Sequence, residues 1–121
     1  DKFFFILASL FSFFGVALGA FAAPMLKQKL SPDMFNIFEV GVRYHMYHAL
    51  GLFVVAWAAS HISNAHIAGW LFVAGIFFFS GSLYLLSITG IKWLGAITPF
   101  GGLCFLAGWL YLAWKAYQAV S

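Results

Sequence analysis

Phe3 to Ala23 is an uncharged, almost wholly apolar run of 21 residues. As a helix it would rise about 30 Å, the thickness of a bilayer's hydrocarbon core. In water such a run would need a large protein around it. This chain has only 121 residues, of which 64% are hydrophobic and 7% charged. Small domains leave too much of their surface exposed to hide that composition, so the bilayer is the expected solvent. A secretory signal peptide is the rival reading, with Lys2 as basic region and Ala20-Phe21-Ala22 as a cleavage-like triplet. The apolar core is too long for one.

The remainder repeats the theme with clear punctuation. Pro24 is expected to end the first helix, because a proline pushes its predecessor out of the helical region. Lys27 and Lys29 then mark a connection at headgroup level. Ser31-Pro32-Asp33 reads as a helix start, with a capping hydroxyl, a proline at the first position and an acid in the first turn. The helix is expected to run to about residue 60. Over residues 32–43, Asn36, Glu39 and Arg43 recur at three- and four-residue steps, which predicts an interfacial segment bending near Gly41 before a span over 44–60.

The polar stretch HISNAH (residues 61–66) makes a short loop, whose two histidines read as solvated. A third span is expected over 67–88. Gly90, Lys92, Trp93 and Gly95 turn the chain, and Thr98-Pro99 opens a fourth span over 99–117. The expected fold is all-α and integral to the membrane. It is one domain (1–121) of four transmembrane helices in an antiparallel bundle.

Small residues mark where helices approach closely: Gly15 and Gly19 form GxxxG, and Gly101 and Gly102 open the last span. The GxxxG face could serve the bundle itself or a second copy. Trp57, Trp70, Trp114 and Tyr117 fall at one end of their helices, as an aromatic belt does. Lys27, Lys29, Arg43 and Lys92 at the opposite end favour cytoplasmic first and third connections.

The polar residues inside this apolar frame are few enough to name. Glu39 and Arg43 are four apart, acid first, the favourable order for a helical ion pair. That makes a structural clasp, or else a headgroup-binding element. Tyr44 and His48 are also four apart, and His45 stands three before His48. Ser80, Tyr84 and Ser87 share one face of the third span, where hydroxyls bond across to a neighbouring helix. The expected arrangement is a polar half-pocket of Glu39, Arg43, Tyr44, His45, His48, Ser80 and Tyr84, with His48 and Tyr44 knotted to Ser80 or Tyr84.

Other chemistry finds little footing. The acids Asp1, Asp33 and Glu39 form no paired carboxylates, and no nucleophile elbow or phosphate loop is present. A closed metal site needs about four ligands, so neither metal nor cofactor is expected. Cys104, the sole cysteine, reads as packing. No basic run suits a nucleic acid.

In order, GVALGAFAA, LKQKL, YHMYHAL, LFVAGIFFFSGSLYLL and LGAITPFGGLCFLAGW resemble the small membrane proteins of YgdD/YwdK type, the uncharacterised family called domain of unknown function 423. The resemblance covers nearly the whole chain, and FSGSLY and ITPFGG are its most specific segments. It implies a four-helix protein of the bacterial plasma membrane and no activity. The family tends to read GAFGAHGLK after the first span, whereas Pro24 and Met25 stand here in place of His-Gly. A role for that histidine beside His48 therefore does not transfer.

The expected function is that of a non-catalytic bundle that packs with membrane components or binds lipid through its half-pocket. The rivals are a carrier of protons or small amphipathic solutes, which needs polar groups across the whole bilayer, and a haem or metal protein. Expected partners are the lipid bilayer, other membrane proteins or a second copy.

Overall fold

A computed structural model describes residues 1–120. Its long helices are α1 (Lys2–Lys27), α2 (Pro32–Ala58), α3 (His66–Thr89) and α4 (Thr98–Val120). A 3-10 turn, Lys92–Ala96, precedes α4. Among the described residues there is no strand.

Pro24 does not end the first helix. A π turn over Ala17–Ala22 shifts the bonding register, so that the Ala23 N–H reaches back to the carbonyl of Leu18. Pro24 thereby falls in the first turn of the α-helical stretch Ala23–Lys27, the position where a helix tolerates proline. Ser31 does cap α2, accepting from the N–H of Met34 at 3.2 Å. The helix ends at Ala58 rather than residue 60 and is α-helical through Gly41. That glycine makes room for a neighbour: a Cβ there would stand 2.9 Å from the ring of Tyr84. The third helix closes on Gly90 at φ +73°, a left-handed cap that suits glycine.

By length and apolarity α1, α3 and the segment Lys92–Val120 can each cross a membrane, and α2 does not join them. The reason lies in its position. α2 and α3 form the central pair, α1 lies against α2, and α4 lies against α3. The inner side of α2 packs against its neighbours and holds polar groups, among them the buried His45 and His48.

Glycines set the close approaches. Gly15 lies against Met46 and Gly19 against Val42, so the GxxxG stripe of α1 is taken up by α2 within one chain. Gly101 sits on the backbone of Phe79, while a Cβ at Gly102 would meet that side chain only at 3.8 Å. Of the two expected packing glycines in α4, only Gly101 is one. The ring of Phe105 occupies the space beside Gly75, and that of Phe72 the space beside Gly108.

The Phe4 and Trp70 rings meet at 5.5 Å, and Tyr111 donates to the carbonyl of Asn64 at 3.2 Å. These contacts place the start of α1, the 59–65 loop and the late turns of α4 at one end. Trp57, Trp70, Trp114 and Tyr117 are all exposed there, as a belt requires. Around Phe4, Ala8, Leu52, Val55, Ala68 and Phe72 the core at this end is apolar. The buried polar side chains are His45, His48, Ser80, Ser82 and Ser87, and they lie from mid-bundle toward the opposite end.

Candidate functional site

The two buried histidines join different sets of helices. His45 Nε2 lies 2.8 Å from the carbonyl of Phe11, and its Nδ1 lies 2.8 Å from the Tyr84 hydroxyl. A carbonyl can only accept, so Nε2 carries the proton. In the neutral ring Nδ1 then accepts from Tyr84. One imidazole thus ties α1, α2 and α3 together. Next to it, the Ser80 hydroxyl donates to the carbonyl of Gly41 at 2.7 Å, a second α3-to-α2 bond.

His48 has the opposite tautomer. Its Nδ1–H donates to the carbonyl of Tyr44 at 2.8 Å, and its Nε2 accepts from the indole N–H of Trp109 at 2.9 Å. Its ring also stacks on Phe105, with centroids 3.5 Å apart and planes 7° from parallel, and meets Phe72 edge-on. The result ties α2, α3 and α4. All four imidazole nitrogens are engaged, which leaves no lone pair for a metal. Among the described residues, no three His, Cys, Asp or Glu side chains are grouped as a metal site would need.

The expected polar knot therefore divides in two. Tyr84 and Ser80 belong with His45 and Gly41, while His48 turns to Trp109 and meets Tyr44 only through its backbone. Glu39 and Arg43 stand apart, both exposed. Among the described residues neither side chain makes an ion pair or hydrogen bond, so the intrahelical clasp is not formed. Ser87 bonds within its own helix, to the carbonyl of Tyr84. The sequence reading missed Ser82, whose hydroxyl lies 2.6 Å from that of Thr98 and so links α3 to the start of α4. It also missed Trp109. A tryptophan in mid-span, away from the belt, was the available signal, since a buried indole N–H needs an acceptor.

Each histidine also forms part of the wall of a groove that opens sideways. Between α2 and α4 lies one of about 750 Å³, walled by Tyr44, Tyr47 and His48 on α2, Phe79 on α3, and α4 from Pro99 to Trp109. It exists because α2 and α4 are bridged by side chains, while each packs its backbone on α3. Gly102 forms part of its wall. Among the described residues the Tyr44 and Tyr47 hydroxyls have no hydrogen-bond partner. The second groove, about 490 Å³, lies between α1 and α3 over His45 and Tyr84. Its polar groups already satisfy one another.

Comparison with known proteins identifies relatives along nearly the whole chain. Residues 18–102 match the family model described as "Protein of unknown function (DUF423)". The chain is 50% identical over 120 residues to UPF0382 membrane protein YwdK of Bacillus subtilis, covering 97% of this chain and 98% of that protein. It is 47% identical over 121 residues to UPF0382 membrane protein SH2409 of Staphylococcus haemolyticus, covering 99% of each. No solved structure matches.

Proposed function

For a chain that belongs to the DUF423 family of membrane proteins, we propose a non-catalytic role: holding one apolar chain of a membrane amphiphile in the groove between α2 and α4. In this reading all four helices span the bacterial plasma membrane, with α2 beginning in the interface. The observation that carries it is the groove itself. Its volume of about 750 Å³ is that of a small-molecule site, its wall is apolar and aromatic, and it opens toward lipid. Two phenol hydroxyls without partners among the described residues, those of Tyr44 and Tyr47, form part of its wall. In hydrocarbon an unpaired hydroxyl is costly, so an ester or headgroup oxygen beside Tyr44 and Tyr47 completes the site.

The polarity gradient weighs against a carrier. A polar path has to continue across the bilayer, and the core around Phe4, Leu52, Val55 and Phe72 is apolar. Metal or haem ligation by His45 or His48 would have to break one of their four imidazole hydrogen bonds.

Photo-crosslinking in nanodiscs with a phospholipid carrying a diazirine in its acyl chain tests the reading. Labelling is expected on the peptide containing Leu103 and Leu106. The plug variant Gly102→Leu should lower it severalfold while leaving labels on the outer face of α1 unchanged. Equal labelling in parent and plug variant would refute the groove.

A further inference from the structure

Resting on that groove reading, we propose that the amphiphile is a phospholipid with a phosphoethanolamine headgroup, its phosphate held by Arg43 and its ammonium by Glu39. Both side chains are exposed, and neither has a partner among the described residues. Ionised groups on the outer surface of a membrane helix are costly unless something neutralises them. Their four-residue spacing sets them one above the other, about 6 Å apart along the helix axis.

The order of groups along α2 identifies the ligand. The next four-residue step from Arg43 reaches Tyr47 in the groove wall, and Tyr44 adjoins Arg43 in sequence. From the Ser31 end inward, α2 thus presents a carboxylate, a guanidinium, two phenols without partners, and then the groove that ends on His48 and Trp109. A phosphoethanolamine lipid entering from that leaflet presents an ammonium, a phosphate, ester carbonyls and a hydrocarbon chain, in the same sequence. The guanidinium forks onto the phosphate. The carboxylate accepts from the ammonium, and a phenol donates to an ester carbonyl.

The same geometry disfavours the commonest alternatives. A choline headgroup has no N–H for Glu39 to accept. A glycerol headgroup leaves a net negative lipid beside that carboxylate. Lys27, Lys29 and Lys92 at the same end would alone favour an anionic lipid, so a preference for ethanolamine over glycerol isolates the role of Glu39.

Native mass spectrometry of the full chain, released from nanodiscs holding equal amounts of phosphatidylethanolamine, phosphatidylglycerol and phosphatidylcholine, reads this directly. The parent is expected to retain the ethanolamine lipid about three- to fivefold over the others, the discrimination that a solvent-screened charge pair supplies. Glu39→Gln should abolish the preference over phosphatidylglycerol while total retention persists. Arg43→Gln should lower retention of all three lipids, since each carries the phosphate that the guanidinium holds, and Gly102→Leu should do the same by closing the groove. Equal retention in the parent, or an ethanolamine preference that survives Glu39→Gln, overturns the headgroup assignment. If Gly102→Leu still lowers retention in that case, the groove stands without it. If neither Gly102→Leu nor a second plug, Leu106→Trp, changes retention, the groove reading falls as well.

Discussion

The indole N–H of Trp109 donates to His48 Nε2 at 2.9 Å, and that contact determines which proton the ring keeps. Indole is a donor only, so Nε2 must hold a lone pair, and the proton sits on Nδ1 facing the carbonyl of Tyr44. Three residues earlier, the carbonyl of Phe11 imposes the reverse arrangement on His45. Among the four histidines, the ¹⁵N spectrum of histidine-labelled protein in detergent, assigned by substitution, should therefore show His45 and His48 as neutral rings of opposite tautomer. Trp109→Phe should disturb the His48 resonances and leave those of His45 in place. Two rings of the same tautomer would contradict the assignment.

Stability should follow the same contacts. Hydrogen bonds between membrane helices are worth about 0.6 kcal/mol on average and up to about 1.7 kcal/mol. Trp109→Phe removes the donor and, because a phenyl is smaller than an indole, part of the packing on Phe72, so it should cost at least that much. His48→Ala also forfeits the stack on Phe105 and strands the indole N–H, for a loss of about 2–3 kcal/mol. In a double-mutant cycle read by unfolding in mixed micelles, the two losses should fall short of additivity. Full additivity would mean that the two residues are not coupled.

Adjacent glycines in α4 should behave oppositely. A methyl group at Gly101 would run into the backbone of Phe79, which cannot move aside as a side-chain tip can. Gly101→Ala should cost about 1–3 kcal/mol by overpacking. Gly102→Ala meets its nearest atom at 3.8 Å and should be nearly neutral. Melting temperatures of the two variants in one detergent decide the matter, and similar losses in both would place the α3–α4 contact elsewhere.

Ser12 provides a test of opposite sign. Its hydroxyl oxygen is buried without a hydrogen-bond partner among the described residues. Removing an unsatisfied buried hydroxyl relieves a desolvation cost of about 1–3 kcal/mol, less whatever packing the oxygen provides. Ser12→Ala should thus unfold at the same temperature as the parent or a higher one. A lower temperature would reveal a partner for the hydroxyl.

The uncharged run from Phe3, the Ser31 cap, the HISNAH loop and the Gly15/Gly19 pair were legible because each is local: run length, a capping hydroxyl, a cluster of polar residues, a four-residue spacing. Pro24 misled because local steric rules assume an α-helical register, whereas a π turn over Ala17–Ala22 precedes it. The site was half legible. Scarcity alone drew attention to His45 and His48, which the bundle buries, since each polar group in an apolar chain stands out. Their pairing was not legible, because Tyr84 and Trp109 reach α2 from 39 and 61 residues away. Choosing His45 for one and His48 for the other needs the rotation of α2 between its neighbours, which periodicity leaves open.

That rotation also separates the charged pair from the structural core. Four-residue spacing alone made Glu39 and Arg43 a clasp whose loss would be felt on unfolding. With both side chains on the outer face and unpaired among the described residues, Arg43→Gln should leave stability within about 0.5 kcal/mol of the parent, as for other surface substitutions. Tyr84→Phe provides the contrast. It deletes the donor to His45 Nδ1 and leaves a buried acceptor unpaired, so it should cost about 1–2 kcal/mol. Unfolding of both variants in lipid-free detergent, then with phosphatidylethanolamine added, separates the two roles. Added lipid should stabilise the parent and Tyr84→Phe alike and should stabilise Arg43→Gln less. If Arg43→Gln is instead the weaker protein in bare detergent, the charge pair holds the fold, and the two roles are not separate.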